Sequence, residues 1–268
     1  MKIYEIKSSR ALAPSGLPEY DYSLNPYVGC LHGCLYCYAM DFTRGPPAAA
    51  WGQVVYVKIN LLEHLRREAQ RLKPGVVGLS TITDPYQPPE ARYKLTRGAV
   101  EILAQAGFQV SIQTKSGLVV RDLDVLMRHR DAVDVGFTIT TMRDKARNLE
   151  PQVAHPLARA RAAEKLARAG VKVWIFLGPV IPGFNDDPRD LAEVIQLARR
   201  IGAEVVYDRY RPKPRSDAFL AAGYRPVKPE AGWWSCVKKT IEQICAQEGA
   251  ACLDAEEEWS RGRRRLFT

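Results

Sequence analysis

The stretch NPYVGCLHGCLYCYAMDF, residues 25–42, places three cysteines within eight positions, at Cys30, Cys34 and Cys37. The whole chain of 268 residues has only six cysteines, so half of them fall in this one segment. The N-terminal MKIYEIKSSR lacks the apolar stretch of a signal peptide, and no run approaches about 18 consecutive apolar residues. The chain therefore reads as cytoplasmic, with no membrane association. In a reducing compartment, clustered cysteines point to metal or redox chemistry more than to disulfides.

Three thiols admit three readings. A structural zinc wants four ligands, so His32 would have to join the thiolates. It lies two residues from both Cys30 and Cys34, which is cramped for a closed tetrahedral shell. A dithiol redox pair at Cys34 and Cys37 leaves Cys30 idle. An iron–sulfur cluster accounts for the missing fourth ligand, because three thiolates on four irons leave one iron open to a substrate or cofactor. Gly29 and Gly33 let the backbone curl so that amide N–H groups approach the sulfides and tune the potential.

Outward from this segment a rhythm appears. Residues 1–24 are extended, broken by Pro14, Gly16 and Pro18. YSLNPYV before Cys30 reads as a strand, and QVVYVKI at 53–59 as an additional one. Helical spacing follows at 60–72 with Asn60 as N-cap, then at 93–107, 121–130, 156–170, 187–202 and 232–249. Apolar runs at 75–82, 108–114, 132–140, 171–180 and 203–210 alternate with them as strands. Strands alternating with helices imply βαβ units and a parallel sheet, wound into a barrel or an open form. No linker divides the chain, so a single domain over 1–268 is expected. Polar residues gather where strands enter helices: Thr83-Asp84, Thr114-Lys115-Ser116, Thr140-Thr141, Gly178-Pro179 and Asp208-Arg209. Ligands of parallel α/β sheets bind on that face.

The C-x3-C-x2-C pattern with Tyr36 before its last cysteine resembles the radical S-adenosylmethionine (radical SAM) superfamily. Together with TDPYQPPE, LTRG, TKS, RD and PVIPGFND it resembles the spore photoproduct lyase-like branch, from about Tyr22 to Asp208. The resemblance implies an α/β fold with a partial (β/α)6, TIM-like barrel, a core of about 22–210 and a helical C-terminal extension of about 211–268. It implies a [4Fe-4S] cluster on Cys30, Cys34 and Cys37, with S-adenosyl-L-methionine (SAM) chelating the fourth iron. Reduction then cleaves SAM to a 5′-deoxyadenosyl radical that takes hydrogen from a substrate. An external electron donor such as flavodoxin or ferredoxin is implied as well.

By chemistry and by this resemblance, Lys115 is expected to meet the SAM carboxylate and Asp84 its ammonium or ribose. Thr83, Ser116 and Thr138 offer hydroxyls nearby. Tyr38 resembles the position whose backbone meets adenine, and Gly178-Pro179 a flat wall for that ring. Asn185 reads as a loop cap. Cys236 and Cys245 are nine residues apart, half a turn out of phase at about 3.6 residues per turn, and cannot share one metal from a straight helix. They are expected, with Cys252, to be buried and free.

The net charge of +9 fits either a polyanion partner, DNA or RNA, or a surface merely rich in arginine. Arg209, Arg211, Lys213 and Arg215, with the tail RGRRRLF at 261–267, form the candidate nucleic-acid rim. Three functions stay open: radical chemistry on a nucleic acid base, radical chemistry on a metabolite, peptide or protein, and a non-catalytic zinc- or cluster-binding role. Spore photoproduct lyase carries a cysteine hydrogen donor three residues before the aspartate that resembles Asp84. Thr81 stands there, and no cysteine occurs between Cys37 and Cys236. The protein is therefore not expected to be a spore photoproduct lyase in the strict sense. Tyr86, a C-terminal cysteine or 5′-deoxyadenosine itself would have to return the hydrogen, if it is returned.

Overall fold

Alternating apolar residues build the strands of a computed structural model that describes residues 1–224 and 227–260. In chain order they are β1 Lys2–Ile6, β2 Leu12–Pro14, β3 Tyr22–Leu24, β4 Tyr27–Val28, β5 Val54–Lys58 and β6 Val76–Leu79. There follow β7 Gln109–Thr114, β8 Val133–Thr138, β9 Lys172–Val180, β10 Glu204–Arg209 and β11 Cys252–Asp254. The main sheet runs β2-β3-β6-β7-β8-β9-β10-β11. Every pairing from β3 to β11 is parallel, and only β2 joins antiparallel. Among the described residues the edges do not meet, so the barrel is open.

One face of this sheet is aliphatic. Val110, Ile112, Val133, Val135, Phe137, Ile175 and Leu177 pack with Leu103, Leu126, Leu166 and Val194 of the covering helices in one core. The alternate residues differ in kind, as the two-residue period of a strand requires. Ser111 Oγ and Trp174 Nε1 both donate to Asp134 Oδ1, at 2.9 and 2.6 Å, and Gln113 Nε2 donates to Thr138 Oγ1 at 3.0 Å. The second face is thus polar and aromatic, which suits a ligand-bearing interior.

Local chemistry sets the long helices. Asp187 accepts from the Arg189 N–H at 2.8 Å ahead of Pro188–Ile201, and Gly202 ends that helix in the left-handed region. His155 caps Pro156–Arg168 in the same way, through the Leu157 N–H. Asn60 precedes Leu61–Ala69 but does not cap it. Its Oδ1 instead accepts from the Ser8 N–H at 2.8 Å, tying down the N-terminal segment.

Other expectations change. YSLNPYV is two strands on two sheets: β3 pairs with β6, whereas β4 pairs antiparallel with β5, which also pairs with β1. Pro26 lacks an N–H and Asn25 is turned aside, with Oδ1 accepting from the Ile82 N–H at 3.1 Å. The segment 121–130 opens as a 3-10 turn, Gly117–Asp122, before the helix Leu123–Arg128. Beyond residue 210 the chain forms the helices Pro214–Gly223 and Trp233–Glu248 and also β11, a seventh parallel strand.

Candidate functional site

The three cysteines lie on the loop between β4 and the short helix Ala39–Phe42. All three are free; Cys30 and Cys34 are buried and Cys37 is half-buried. Gly29 (φ +83°) and Gly33 (φ +61°) form the bends that the loop needs. A Cβ on Gly29 would lie 2.8 Å from both Pro47 Cβ and the Val54 carbonyl oxygen, and one on Gly33 3.1 Å from Gly52 Cα. Burial pushes all three thiols up in pKa; Lys115 opposes the rise at Cys34 and Cys37. Thiols that resist ionisation when empty gain from a bound cation. The donor set fits an iron–sulfur group. Zinc would need His32 as a fourth ligand through Nε2, since its Nδ1 sits 3.3 Å from Asp84 Oδ2, and two-residue spacing from both Cys30 and Cys34 cramps that shell. Among the described residues no three His, Cys, Asp or Glu side chains converge as around a single ion.

Two residues of the TDPYQPPE segment grip this loop. Gln87 Oε1 accepts from the Leu31 N–H at 2.9 Å, while its Nε2 donates to the Gly29 carbonyl (3.2 Å) and to Thr83 Oγ1 (2.8 Å). Thr83 in turn donates to the Gly29 carbonyl at 2.6 Å. Asp84 is saturated by protein donors: the Tyr86 N–H and Thr114 hydroxyl on Oδ1, the Lys115 N–H and His32 on Oδ2. Burial would raise its pKa, but these partners, His32 foremost, hold it at about 2. Both Thr83 and Asp84 thus hold the strand ends and the cysteine loop together rather than presenting free oxygens to a ligand. Ser116 Oγ accepts from the Leu118 N–H at 3.2 Å, and Thr138 Oγ1 is taken by Gln113.

Lys115 behaves differently. Its half-buried ammonium lies 5.7 Å above the centroid of the Tyr36 ring, and among the described residues no carboxylate comes within ion-pair distance of it. Burial would lower its pKa, but Cys34, Glu150, Cys37 and Asp84 around it more than offset that and raise it. A charged, unpaired cation beside the cysteines is what an anionic ligand group needs. Tyr38 is 42% exposed, and its hydroxyl donates to the Thr81 carbonyl. Gly178 leaves room for the Phe176 ring, since a Cβ there would come 2.6 Å from that side chain.

Residues 24–198 match the radical SAM superfamily, well over half of the chain. The chain belongs to the radical SAM superfamily. It is 32% identical over 187 residues to an uncharacterised protein of Methanocaldococcus jannaschii, covering 69% of this chain and 70% of that one. A Mycobacterium bovis protein is likewise 32% identical, over 68% of this chain but only 56% of its own length. A radical SAM Nalpha-GlyT isomerase of Pseudomonas phage M6 is 26% identical over 63% of this chain and 35% of its own. Among solved structures, a spore photoproduct lyase with bound AdoMet and dinucleoside spore photoproduct superposes with a TM-score of 0.73. At 16% identity, over 94% of this chain and 81% of that one, this likeness is one of fold.

Within this radical SAM chain several residues contribute that the motifs did not single out. Gln87 lies inside TDPYQPPE, three positions after Asp84. Glu150 and Arg159 form a buried ion pair, and Glu150 accepts from the Tyr36 hydroxyl. Arg159 had a signal: it shares a helical phase with the buried Ala163 and Leu166, a charge on an apolar stripe. Asn185 holds its loop as expected, accepting from the Ile181 N–H and donating to the Thr140 and Pro179 carbonyls.

The proposed rim is partly committed inside the molecule. Arg211 pairs with Asp208 and Glu256, Arg209 with Glu256, and Arg215 donates to the carbonyls of Met40 and Thr43. Lys213 lies over an exposed aromatic, Phe42, at 5.3 Å. The basic tail 261–267 lies outside the described residues. Cys245 and Cys252, expected to be free, form a disulfide, while Cys236 is free and exposed. Gly249, at φ +63°, reverses the chain after the helix and returns β11 beside its last turn. Tyr86 is fully buried in the main core. No helix of the described residues is long and apolar enough to cross a membrane.

Proposed function

We propose that this protein is a radical SAM enzyme that acts on a nucleic acid base. Cys30, Cys34 and Cys37 would hold a [4Fe-4S] cluster, and Lys115 would take the carboxylate of SAM. The observation that carries this reading is the unpaired Lys115 ammonium beside three free thiols. When bound, the cluster and SAM supply a 5′-deoxyadenosyl radical that removes a hydrogen atom from the substrate. The protein's own part is positional. Gln87 and Thr83 fix the loop carrying Cys30, Asp84 fixes the backbone of Lys115, and Gly178 keeps the ring of Phe176 close to the strand end. Tyr38 and Phe42, exposed and 6.0 Å apart edge to face, offer stacking surface at the mouth. The names of the phage isomerase and of the lyase with its dinucleoside ligand support a base as the substrate class.

The decisive experiment is anaerobic reconstitution. The protein should take up about four irons per chain and release 5′-deoxyadenosine with SAM and dithionite, and Cys34→Ala should do neither. Absence of iron uptake by the wild type would remove the proposal. Thr81, whose carbonyl meets the Tyr38 hydroxyl, holds the lyase cysteine's place, and its O–H bond is too strong to give hydrogen to a carbon radical. Spore photoproduct supplied with cofactor and reductant should therefore not be turned over repeatedly to two thymines. Repeated repair would show that another donor serves. The internal pairing of Arg209 and Arg211 favours a second reading, a metabolite or peptide substrate, which failure to bind any DNA or RNA at low salt would bring forward.

A further inference from the structure

Segment 149–152, after β8, touches the cysteine loop twice and its neighbour Gly52 once. The Leu35 N–H donates to the Leu149 carbonyl at 2.9 Å, Tyr36 donates its hydroxyl to Glu150 Oε1, and Gln152 Nε2 donates to the Gly52 carbonyl at 3.0 Å beside Gly33. Glu150 is the centre of this seat. It is 2% exposed, and Arg159, with no exposed surface, pairs with its Oε2 while donating to the Thr138 carbonyl at 2.8 Å. The Thr140 hydroxyl donates to Oε1 at 3.2 Å. A buried carboxylate held by three elements cannot drift, and whatever it holds is fixed as well. What it holds is Tyr36, one residue before Cys37, whose ring face lies under the Lys115 ammonium.

We propose that Glu150 is a positioning residue for the cofactor site: locked by Arg159, it fixes Tyr36, and Tyr36 fixes both the Cys34–Cys37 turn and the Lys115 ammonium. This rests on the reading of the three cysteines as cluster ligands and of Lys115 as the SAM partner. Glu150 contacts neither the thiols nor the ammonium; beyond its charge, which favours the protonated Lys115, it acts through the Tyr36 hydroxyl.

The test compares wild type, Glu150→Ala, Tyr36→Phe and the double variant after anaerobic reconstitution. Three quantities are read: iron per chain, the electron paramagnetic resonance signal of the reduced cluster with and without SAM, and SAM affinity. Thermal unfolding of the iron-free proteins monitors the fold. Losing an outer partner of a bound group typically weakens binding about tenfold or more. Both single variants should show that loss in SAM affinity, with an altered signal on SAM addition. Because Glu150 acts through the Tyr36 hydroxyl, the double variant should lose little beyond Glu150→Ala. Should Glu150→Ala fail to fold, Tyr36→Phe carries the same test, since it removes one hydroxyl and keeps the ring. Wild-type iron content, signal and affinity in Tyr36→Phe would overturn the inference. Failure of the wild type to bind a cluster would instead remove the underlying reading, so the two failures are distinguishable.

Discussion

Four donors converge on the Asp84 carboxylate, the backbone N–H groups of Tyr86 and Lys115, the Thr114 hydroxyl and the His32 ring. Each favours the ionised form, and together they outweigh burial and hold the pKa at about 2. An unfolded aspartate titrates near 3.9. The depressed folded value means that the stabilisation is complete above about pH 4 and is lost as pH falls toward 2. A gap of about two pH units corresponds to roughly 2.6 kcal/mol, of which roughly 2 kcal/mol is lost by pH 2.5. In urea unfolding of the iron-free protein, Asp84→Asn should flatten the loss of stability between pH 5 and 2.5 by about that amount. Equal slopes in variant and wild type would show that Asp84 is not the titrating group. The TDPYQ motif was legible as a site feature because chemistry-bearing residues stand at a strand end, but the direction of each oxygen was not. Asp84 and Thr83 turn to protein donors and acceptors, whereas Lys115 is left without an acid. Glu150 gave no sign at all, since a lone acid in a loop looks solvated until Arg159 and Tyr36 close over it.

The cysteine loop works because its neighbours are close. At Gly29 a side chain would meet the Val54 carbonyl of β5 at 2.8 Å, and the left-handed conformation adds strain of about 1–2 kcal/mol. Gly202, left-handed at φ +67° and ψ +26°, faces open space, and a Cβ added there would meet nothing within 4 Å. Gly29→Ala should therefore destabilise the iron-free protein by about 2 kcal/mol or more and reduce iron uptake, whereas Gly202→Ala should cost about 1 kcal/mol and leave uptake intact. Thermal unfolding and iron assay on the pair decide it; equal effects would mean that close packing at Gly29 is unimportant. The long elements were readable, since periodic apolar residues, Pro188 and Gly202 bound them unambiguously. The short ones depend on partners far along the chain. β4 exists because β5 lies beside it, and β11 because Gly249 turns the chain back onto β10. Helix Pro214–Gly223 buries only Ser216 and Leu220, and the Asp41 carboxylate accepts from its first N–H groups at 2.9 and 3.1 Å. Its sequence carries little apolar periodicity to announce it.

Over the whole molecule the charge of +9 is spread unevenly. Much of the arginine is matched by acid: Arg97 with Asp122 and Asp124, Arg121 with Glu90, Arg143 with Asp190 and Glu193, Arg211 with Asp208 and Glu256. Beyond the cysteine loop Lys213 lies on the ring of Phe42, which is 57% exposed. An exposed aromatic ring with a cation over one face leaves its other face for one stacked base and places the cation for its phosphate, rather than for a long duplex track. Binding of the full chain to single-stranded DNA should weaken with salt, because each phosphate contact releases counterions worth about 0.7 in the logarithmic slope. Lys213→Ala should lower that slope by about 0.7 and weaken binding without regard to base sequence, while Phe42→Ala should weaken binding and leave the slope nearly unchanged. Filter binding between about 50 and 200 mM salt, a range wide enough to resolve such a slope, separates the two effects. Cys34→Ala protein, in which chemistry is disabled, allows the measurement without turnover. If Lys213→Ala leaves the slope untouched while the full chain still binds, the phosphate contacts lie elsewhere on the molecule and Phe42 is not the stacking surface beside them.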